Sequence, residues 1–421
     1  MKSTKTARLL LLSGVATAAL TGSAWALEAQ AFVDRASEVY KVVGYDITFG
    51  EATLDGDTIT VDGATVGIIA GEGVIEPMEF DAELVFSGVE EREDGSYFAQ
   101  SLTIPDIDAD FAGEEDAQGH ITLSDIRADG LYLPAGDTVP TEALLQLVGS
   151  ISTGPLSITR NGDEVISIDS MEAASTFNPE QGSTELVDLR STLDIAGIWL
   201  DLSTVPEEDP AAGAVIEALG LTEIRGDITQ DMTWTMADGR MVVDEFLFDF
   251  ADIGALNITA DMSGITPEVL DQIYAMQASM ATDAAGATGE QTEEQIQAQA
   301  MQGMALMENV NVVGASIRYD DAGLADKAID FGAEQAGVDR AGYTEGLKAT
   351  LPQILAGSGV PALNDVVVPA VSDFLDDPQS LEVSVAPAEP TSLLVLAAAA
   401  ANPAGLIEAL GLVVESNTAA E

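Results

Sequence analysis

The sequence predicts an α+β fold: a long antiparallel β-sheet of meanders with helices packed on it, and a helix-rich C-terminal half. Three observations carry that expectation. Apolar residues recur at every second position over long stretches between Tyr45 and Met262, the period of a strand with one dry and one wet face. Asp-Gly and Asn-Gly pairs punctuate those stretches as turn signals. From Thr266 onward the texture changes to Ala, Gln, Glu and Met at helical spacing. With 47% hydrophobic residues the chain can bury a sizeable core in spite of its charge.

The first segment reads as an export signal. Lys2, Lys5 and Arg8 precede an apolar run from Leu9 to Leu20, and Ala24-Trp25-Ala26 supplies the small residues a signal peptidase needs. A second such site is Ala29-Gln30-Ala31. The run is short against the ~20 apolar residues that span a bilayer, so residues 1–26 are expected to be cleaved and the mature chain to be periplasmic or secreted. Cleavage removes three of the 15 cations and no acid, leaving 12 against 72 Asp plus Glu, so at least 60 carboxylates lack a fixed cationic partner. Their mutual repulsion weakens as salt rises, which suits a saline compartment.

Phe32, Ala36, Val39, Tyr40 and Val43 share one face of an opening helix that Gly44 closes. Turns are then expected at Asp55-Gly56, Asp62-Gly63, Asp94-Gly95 and Asn161-Gly162, and Phe80, Ala82, Leu84 and Phe86 alternate with polar neighbours. The clearest strand has Ile224, Gly226, Ile228, Met232, Trp234 and Met236 on one parity. It spans about thirteen residues, or roughly 43 Å. Asp238-Gly239 turns the chain, Phe246, Phe248 and Phe250 line the next strand, and Leu256, Ile258, Ala260 and Met262 line a third.

A β-rich region, 27–265, is thus followed by a Met-, Ala- and Gln-rich helical hairpin, 266–309. Thr266-Pro267-Glu268 starts its first helix, Asp283 to Gly289 breaks it, and Thr292 with Gln295 restarts it as a capping box. Ile296, Ala300, Met304 and Met307 share a side of the second helix, expected to pack on the sheet. Residues 310–421 mix helix and strand: a strand from Val310 to Tyr319, a helix around Leu363 to Leu375 kinked by Pro369, a strand at Leu381 to Val385, and a buried helix at Leu393 to Ala401. An internal repeat pairs Asp209-Pro210 through Ile216-Glu217-Ala218-Leu219-Gly220-Leu221 with Asn402-Pro403 through Ile407-Glu408-Ala409-Leu410-Gly411-Leu412. Duplication and convergence on one helix-cap grammar both explain it.

No catalytic, cofactor or metal motif emerges. Without Cys there is no thiolate nucleophile, disulfide or Cys-ligated metal. The single His, His120, stands near a strand start without a nucleophile elbow. Asp106, Asp108 and Asp110 occupy the first ligand positions of a calcium loop, but Phe111 stands where that loop needs Gly and Ala117 where it needs Glu. A strand with Ile107, Ala109 and Phe111 inward fits better. A net charge of −57 makes nucleic acid and anionic membranes poor partners.

The run from Ile224 through Asp238-Gly239 to Met262, and the Tyr45 to Ile69 stretch, resemble the repeat texture of AsmA-like bacterial envelope proteins. That resemblance, over about a quarter of the chain, implies an elongated sheet with an apolar trough and a role in lipid handling. A cleavable leader and a large helical C-terminal half depart from the family pattern, and no functional residue carries over. The expectation is therefore a non-catalytic exported protein without cofactors. It would bind or shield lipid or other apolar material in a trough lined by Met232, Trp234, Met236, Phe246, Phe248 and Phe250. The alternative is an interaction protein that meets another envelope protein through its acidic face or Met-rich hairpin.

Overall fold

The computed structural model describes residues 27–70, 73–74, 78–112, 118–136, 139–183, 185–204, 209–285, 293–357, 360, 362–399 and 403–419. The expected leader, 1–26, lies outside them, as do Thr292 and Asn402 and most of the Glu114 to Gly119 loop. Among the described residues no helix is long and apolar enough to cross a membrane.

Helix α1 (Ala29–Val42) opens the chain, and Gly44, at φ +92, closes it as expected. The strands follow: β1 (Tyr45–Asp55), β2 (Thr58–Ala70), β3 (Gly73–Val74), β4 (Met78–Ser87), β5 (Glu90–Glu91), β6 (Tyr97–Ile104), β7 (Ile107–Ala112), β8 (Gln118–Leu123) and β9 (Ile126–Leu133). A short α2 (Thr141–Leu144) leads to β10 (Val148–Thr153), β11 (Leu156–Arg160), β12 (Asp163–Ile168), β13 (Ser170–Asn178) and β14 (Asp188–Asp201). Helix α3 (Pro210–Leu219) precedes β15 (Glu223–Thr235), β16 (Arg240–Phe250) and β17 (Gly254–Ser263). The helical hairpin is α4 (Pro267–Ala285) and α5 (Glu293–Asn309). Then come β18 (Asn311–Asp321), α6 (Leu324–Ala336), α7 (Arg340–Ala356), α8 (Leu363–Asp376), β19 (Ser380–Val385), β20 (Thr391–Ser392), α9 (Leu393–Ala399), α10 (Pro403–Leu410) and β21 (Leu412–Ser416).

All pairings are antiparallel. They run β1–β2–β4–β6–β9–β10–β13–β14–β15–β16–β17–β18–β19–β21, so the sheet continues through the helix-rich half. A side ladder β7–β8–β11–β12 rejoins it at β14. The side ladder is the continuation of β6, β9, β10 and β13 across aligned interruptions at Pro105-Asp106, Ser124-Asp125, Gly154-Pro155 and Asp169, and β14 bulges beside them at Ala196-Gly197.

This crease is stitched by backbone and carboxylate. Gly154 N–H donates to Ser124 O at 2.9 Å and Ser124 N–H to Pro155 O at 3.2 Å. Asp125 N–H donates to Asp106 Oδ1 at 3.0 Å, and Gly197 N–H to Asp227 Oδ1 at 2.7 Å. Each interruption inserts extra residues and bends its strand. It also shifts the parity: Ile104 and Ile107, Leu123 and Ile126, and Ile195 and Ile198 fall on one face of the sheet although their spacing is odd.

The same device changes one expected turn. Asp62-Gly63 lies inside the unbroken β2, with Gly63 at φ +81. Asp62 and Ala64 stay in register with Glu51 and Phe49 of β1, and the extra residue falls on β4, where Asp81 and Ala82 lie between their partners Glu83 and Phe80. Gly56, Gly95, Gly162 and Gly239 do sit at turns with positive φ. The repeat's first copy has the expected grammar: the Asp209 carboxylate caps α3 by accepting from Ala211 and Ala212 N–H, and Gly220 ends the helix at φ +69. Gly411 ends α10 at φ +58.

Pro369 lies inside α8, as the sequence places it. Two corrections concern helices. Helix α9 forms but has no buried residue, and Val395 is 53% exposed, because its neighbours are α5, α10 and the two-residue β20 rather than the broad face of the sheet. In α5 the buried residue is Leu306, whereas Met304 and Met301 face outward. The hairpin therefore packs through a different stripe than the methionine spacing suggested.

Candidate functional site

Reading the register strand by strand places the apolar parity of every long strand on one face. Leu189, Leu193, Ile195, Ile198 and Leu200 of β14 stand on the same face as Trp234, Met232, Ile228 and Ile224 of β15. Met241, Val243, Phe246, Phe248 and Phe250 continue it on β16, then Leu256, Ala260 and Met262 on β17. Beyond the crease, Ile107, Ala109 and Phe111, Ile121 and Leu123, Leu156 and Ile158, and Ile166 and Ile168 extend it across the side ladder. Period-two alternation dictates this local choice, and the bulges keep it coherent where the spacing turns odd.

Among the described residues, helices cover this face in three places. Helix α1 covers one end: Phe32, Val33, Ala36 and Val39 pack with Ile59, Val61, Phe86, Leu131 and Leu133. The start of α4 and the end of α5 cover a second region, where Val269, Leu306 and Val310 meet Met262 and Ile265. Helix α8 covers a third, with the Phe374 ring centroid 6.5 Å from that of Tyr319 on β18. Among the described residues, no member of β7, β8, β11 or β12 belongs to any of the three buried clusters, and neither do Phe246, Phe248 or Phe250. Ile121, Leu123, Leu156, Ile158, Ile166 and Ile168 are half-buried, while Phe111 is 44% and Ile151 48% exposed.

From β7 through β8, β11, β12, β14 and β15 to β16 the strip crosses six strand spacings. At ~4.8 Å each and about four residues deep, it measures roughly 30 Å by 13 Å, on the order of 400 Å². A patch of about that size is among the largest on a typical soluble monomer and is often functional. At about 25 cal/mol per Å² the footprint sets an upper bound of ~10 kcal/mol on covering the strip, because most of its side chains are already partly buried and association and ordering carry their own cost.

The six residues singled out from the sequence divide into two groups. Trp234 and Met236 are 4% and 1% exposed and form a core cluster with Leu189, against which Leu145, Met241, Ile265 and Leu270 pack. The indole N–H of Trp234 donates to Ile265 O at 2.8 Å, so it pins the entry to α4. Met232, Phe246, Phe248 and Phe250 are half-buried. The Phe246 and Phe248 rings lie 4.6 Å apart, tilted by 44°. Phe250 stands opposite Gly226 and Gly254, and a Cβ on Gly226 would meet its ring at 2.5 Å, so glycine there makes room for the aromatic. The side-ladder residues were missed because the interruptions at Asp106, Asp125 and Asp169 break a parity count. Their signal is the recurring Ile-x-Ile or Leu-x-Ile triplet flanked by Asp, Gly or Pro.

The opposite face is polar and ion-paired. Arg190 forks onto Asp231, with Nε to Oδ1 at 3.0 Å, and this guanidinium holds the Asp231 carboxyl below its usual range. Arg240 forks onto Asp261 at 3.1 and 2.8 Å, and Arg318 onto Asp320 at 2.8 and 2.6 Å while also reaching Glu382 at 3.2 Å. Arg225 pairs with Glu223 at 2.8 Å and lies 5.7 Å above the Trp199 ring. His120 sits between Asp110, at 2.9 Å, and Asp108, at 3.4 Å, with those carboxylates 93% and 78% exposed. Asp106 instead accepts the Asp125 N–H, so the three acids do not converge. Among the described residues no group of three or more His, Cys, Asp or Glu could hold a metal ion.

A family model described as "Uncharacterized protein" matches residues 247–417, from within β16 to just past β21. No curated protein matches the chain. The matched part contains Phe248, Phe250 and the helices of the C-terminal half, and leaves α1 and the side ladder outside it.

Proposed function

We propose that this chain is an exported, acidic, non-catalytic protein that binds or shields lipid or similar apolar molecules on the open strip of its sheet. The observation that carries the reading is the strip: apolar residues on consecutive antiparallel strands, helix-covered around its borders and open between them. An apolar strip longer than it is deep suits an extended acyl chain, whose burial needs area and no directional contacts. The ion-paired opposite face and the net charge of −57 keep the loaded or empty protein soluble. The resemblance of the Ile224 to Met262 strands to AsmA-like envelope proteins points the same way, and the leader-like residues 1–26 support an envelope or secreted location.

Native mass spectrometry of the mature chain, purified from a bacterial host without detergent, tests the proposal. Lipid is expected to co-purify, and Phe248→Asp is expected to abolish it by placing a charge in the strip. An empty wild-type monomer refutes the reading. The second reading, a protein-binding role, is favoured by the exposed Met301 and Met304 on α5, at 61% and 48%. A specific partner lost on replacing both with Glu supports that alternative.

A further inference from the structure

Beneath α1 the structure contains an apolar cavity of about 160 Å³. It lies between the helix and strands β1, β2, β4, β6 and β9, lined among others by Ala36, Ile47, Val66, Leu102 and Ile104. Every lining residue is aliphatic or aromatic, and Tyr40 alone carries a hydroxyl. Burial raises the pKa of Tyr40, so the phenol stays neutral.

The cavity is not the result of a loosely held helix. Phe32, one and two turns before Ala36 and Tyr40, meets the Phe86 ring edge-on at 5.0 Å and 74°, and the Tyr97 ring at 5.7 Å and 87°. That end of α1 is locked, and the cavity reaches along the helix from Phe32 past Ala36 to Tyr40. In the sheet beneath, β4 pairs with β6 as far as Val85 and Thr103, after which β4 continues against β2 and β7 against β8. Tyr45, two residues before the lining residue Ile47 on the same side of β1, is 44% exposed. Native interiors rarely keep voids larger than a water molecule. An apolar cavity of roughly 150 Å³ excludes water and takes a six-carbon guest such as benzene.

We propose that this cavity is a binding site for the terminal segment, about six carbons long, of an unbranched hydrocarbon chain that enters beside Tyr45. The site is separate from the open strip and does not rest on the reading of that strip. Volume and dryness select the guest: a chain end fills it, whereas a charged or strongly hydrated group would lose its hydration without a partner.

The test uses the full mature chain and 1-hexanol as probe. Hexanol should raise the Tm of the wild type in a saturable way. Ala36→Leu, which places a larger side chain in the cavity, should abolish that rise. Phe248→Asp, which alters only the strip, should retain it, so that a failure here and a failure of the lipid reading are told apart. A saturable rise that survives in Ala36→Leu, or none in the wild type, overturns the proposal. Should Ala36→Leu fail to fold, crystals of the wild type under xenon pressure decide. A xenon peak between Ala36 and Leu102 supports the site, and its absence overturns it.

Discussion

Whether the β16 aromatics face solvent or a closed core can be settled by comparing Phe248→Ala with Trp234→Ala. Trp234 is 4% exposed, packs with Leu189 and Met236, and donates its indole N–H to Ile265. Truncating it leaves a void and an unpaired carbonyl, so the expected cost is about 3–5 kcal/mol. Phe248 is half-buried and its clearest contact is the Phe246 ring at 4.6 Å. Phe248 is more covered than open, so most of a side-chain transfer, about 1.5 kcal/mol, is lost together with an aromatic pair of roughly 0.5–1.5. The sum is about 2–3 kcal/mol, below the cost at Trp234. Urea unfolding followed by far-ultraviolet circular dichroism, at one fixed salt concentration, measures both. Equal losses above about 3 kcal/mol would mean that Phe248 is sealed in a core, and the reasoning about an open strip would fail.

Three further outcomes follow from the same structure. Asp94 accepts from Ser96 N–H and Oγ at 2.9 and 2.6 Å, and these bonds hold its carboxyl below the usual range. Its contribution is therefore present above the ordinary carboxyl pKa of about 3.9 and lost as the pH falls through the lowered folded value. Asp94→Ala should cost about 1 kcal/mol at pH 7, kept modest by the exposure of the carboxylate, and the difference from wild type should vanish in acid. Gly197→Ala should destabilise more than Gly56→Ala. Both glycines have positive φ, but an added Cβ at Gly197 meets Asp169 Oδ2 at 2.2 Å, whereas nothing lies within 4 Å at Gly56. Thermal melts of the two variants check the order, and equal shifts would mean that the crease is not tightly packed. Raising NaCl from about 50 mM to about 500 mM should raise the Tm, because screening relieves repulsion among carboxylates that outnumber the cations by 57. A falling Tm would count against that balance.

Much of this fold was legible because strand parity is a local property. The thirteen-residue β15 runs from Glu223 to Thr235 as its alternation implied, and the Phe246-Phe248-Phe250 face lies beside it. The α1 face, the Asp209 cap and the Gly220 stop are equally local: the first two are set by side chains within one helical turn, the last by a residue whose lack of a Cβ admits the left-handed conformation. The Met304 stripe was misread because methionine spacing says which residues could pack, not which side the sheet will present. The Asp62-Gly63 dipeptide serves a turn and a strand interior alike, and only the pairing of β2 with β1 and β4 decides between them.

By itself, then, the amino-acid order determined the alternating apolar face, the caps and the excess of anions. The tertiary structure alone decided that five interruptions would line up into a crease, that Trp234 and Met236 would be fully covered while Phe248 stayed partly covered, and that a cavity would remain beneath α1. The division has a physical cause. Parity and capping depend on neighbours a few residues away, whereas cover depends on helices joined to the sheet through contacts between residues far apart in the chain. Leu270 over Trp234 and Phe374 beside Tyr319 are such contacts.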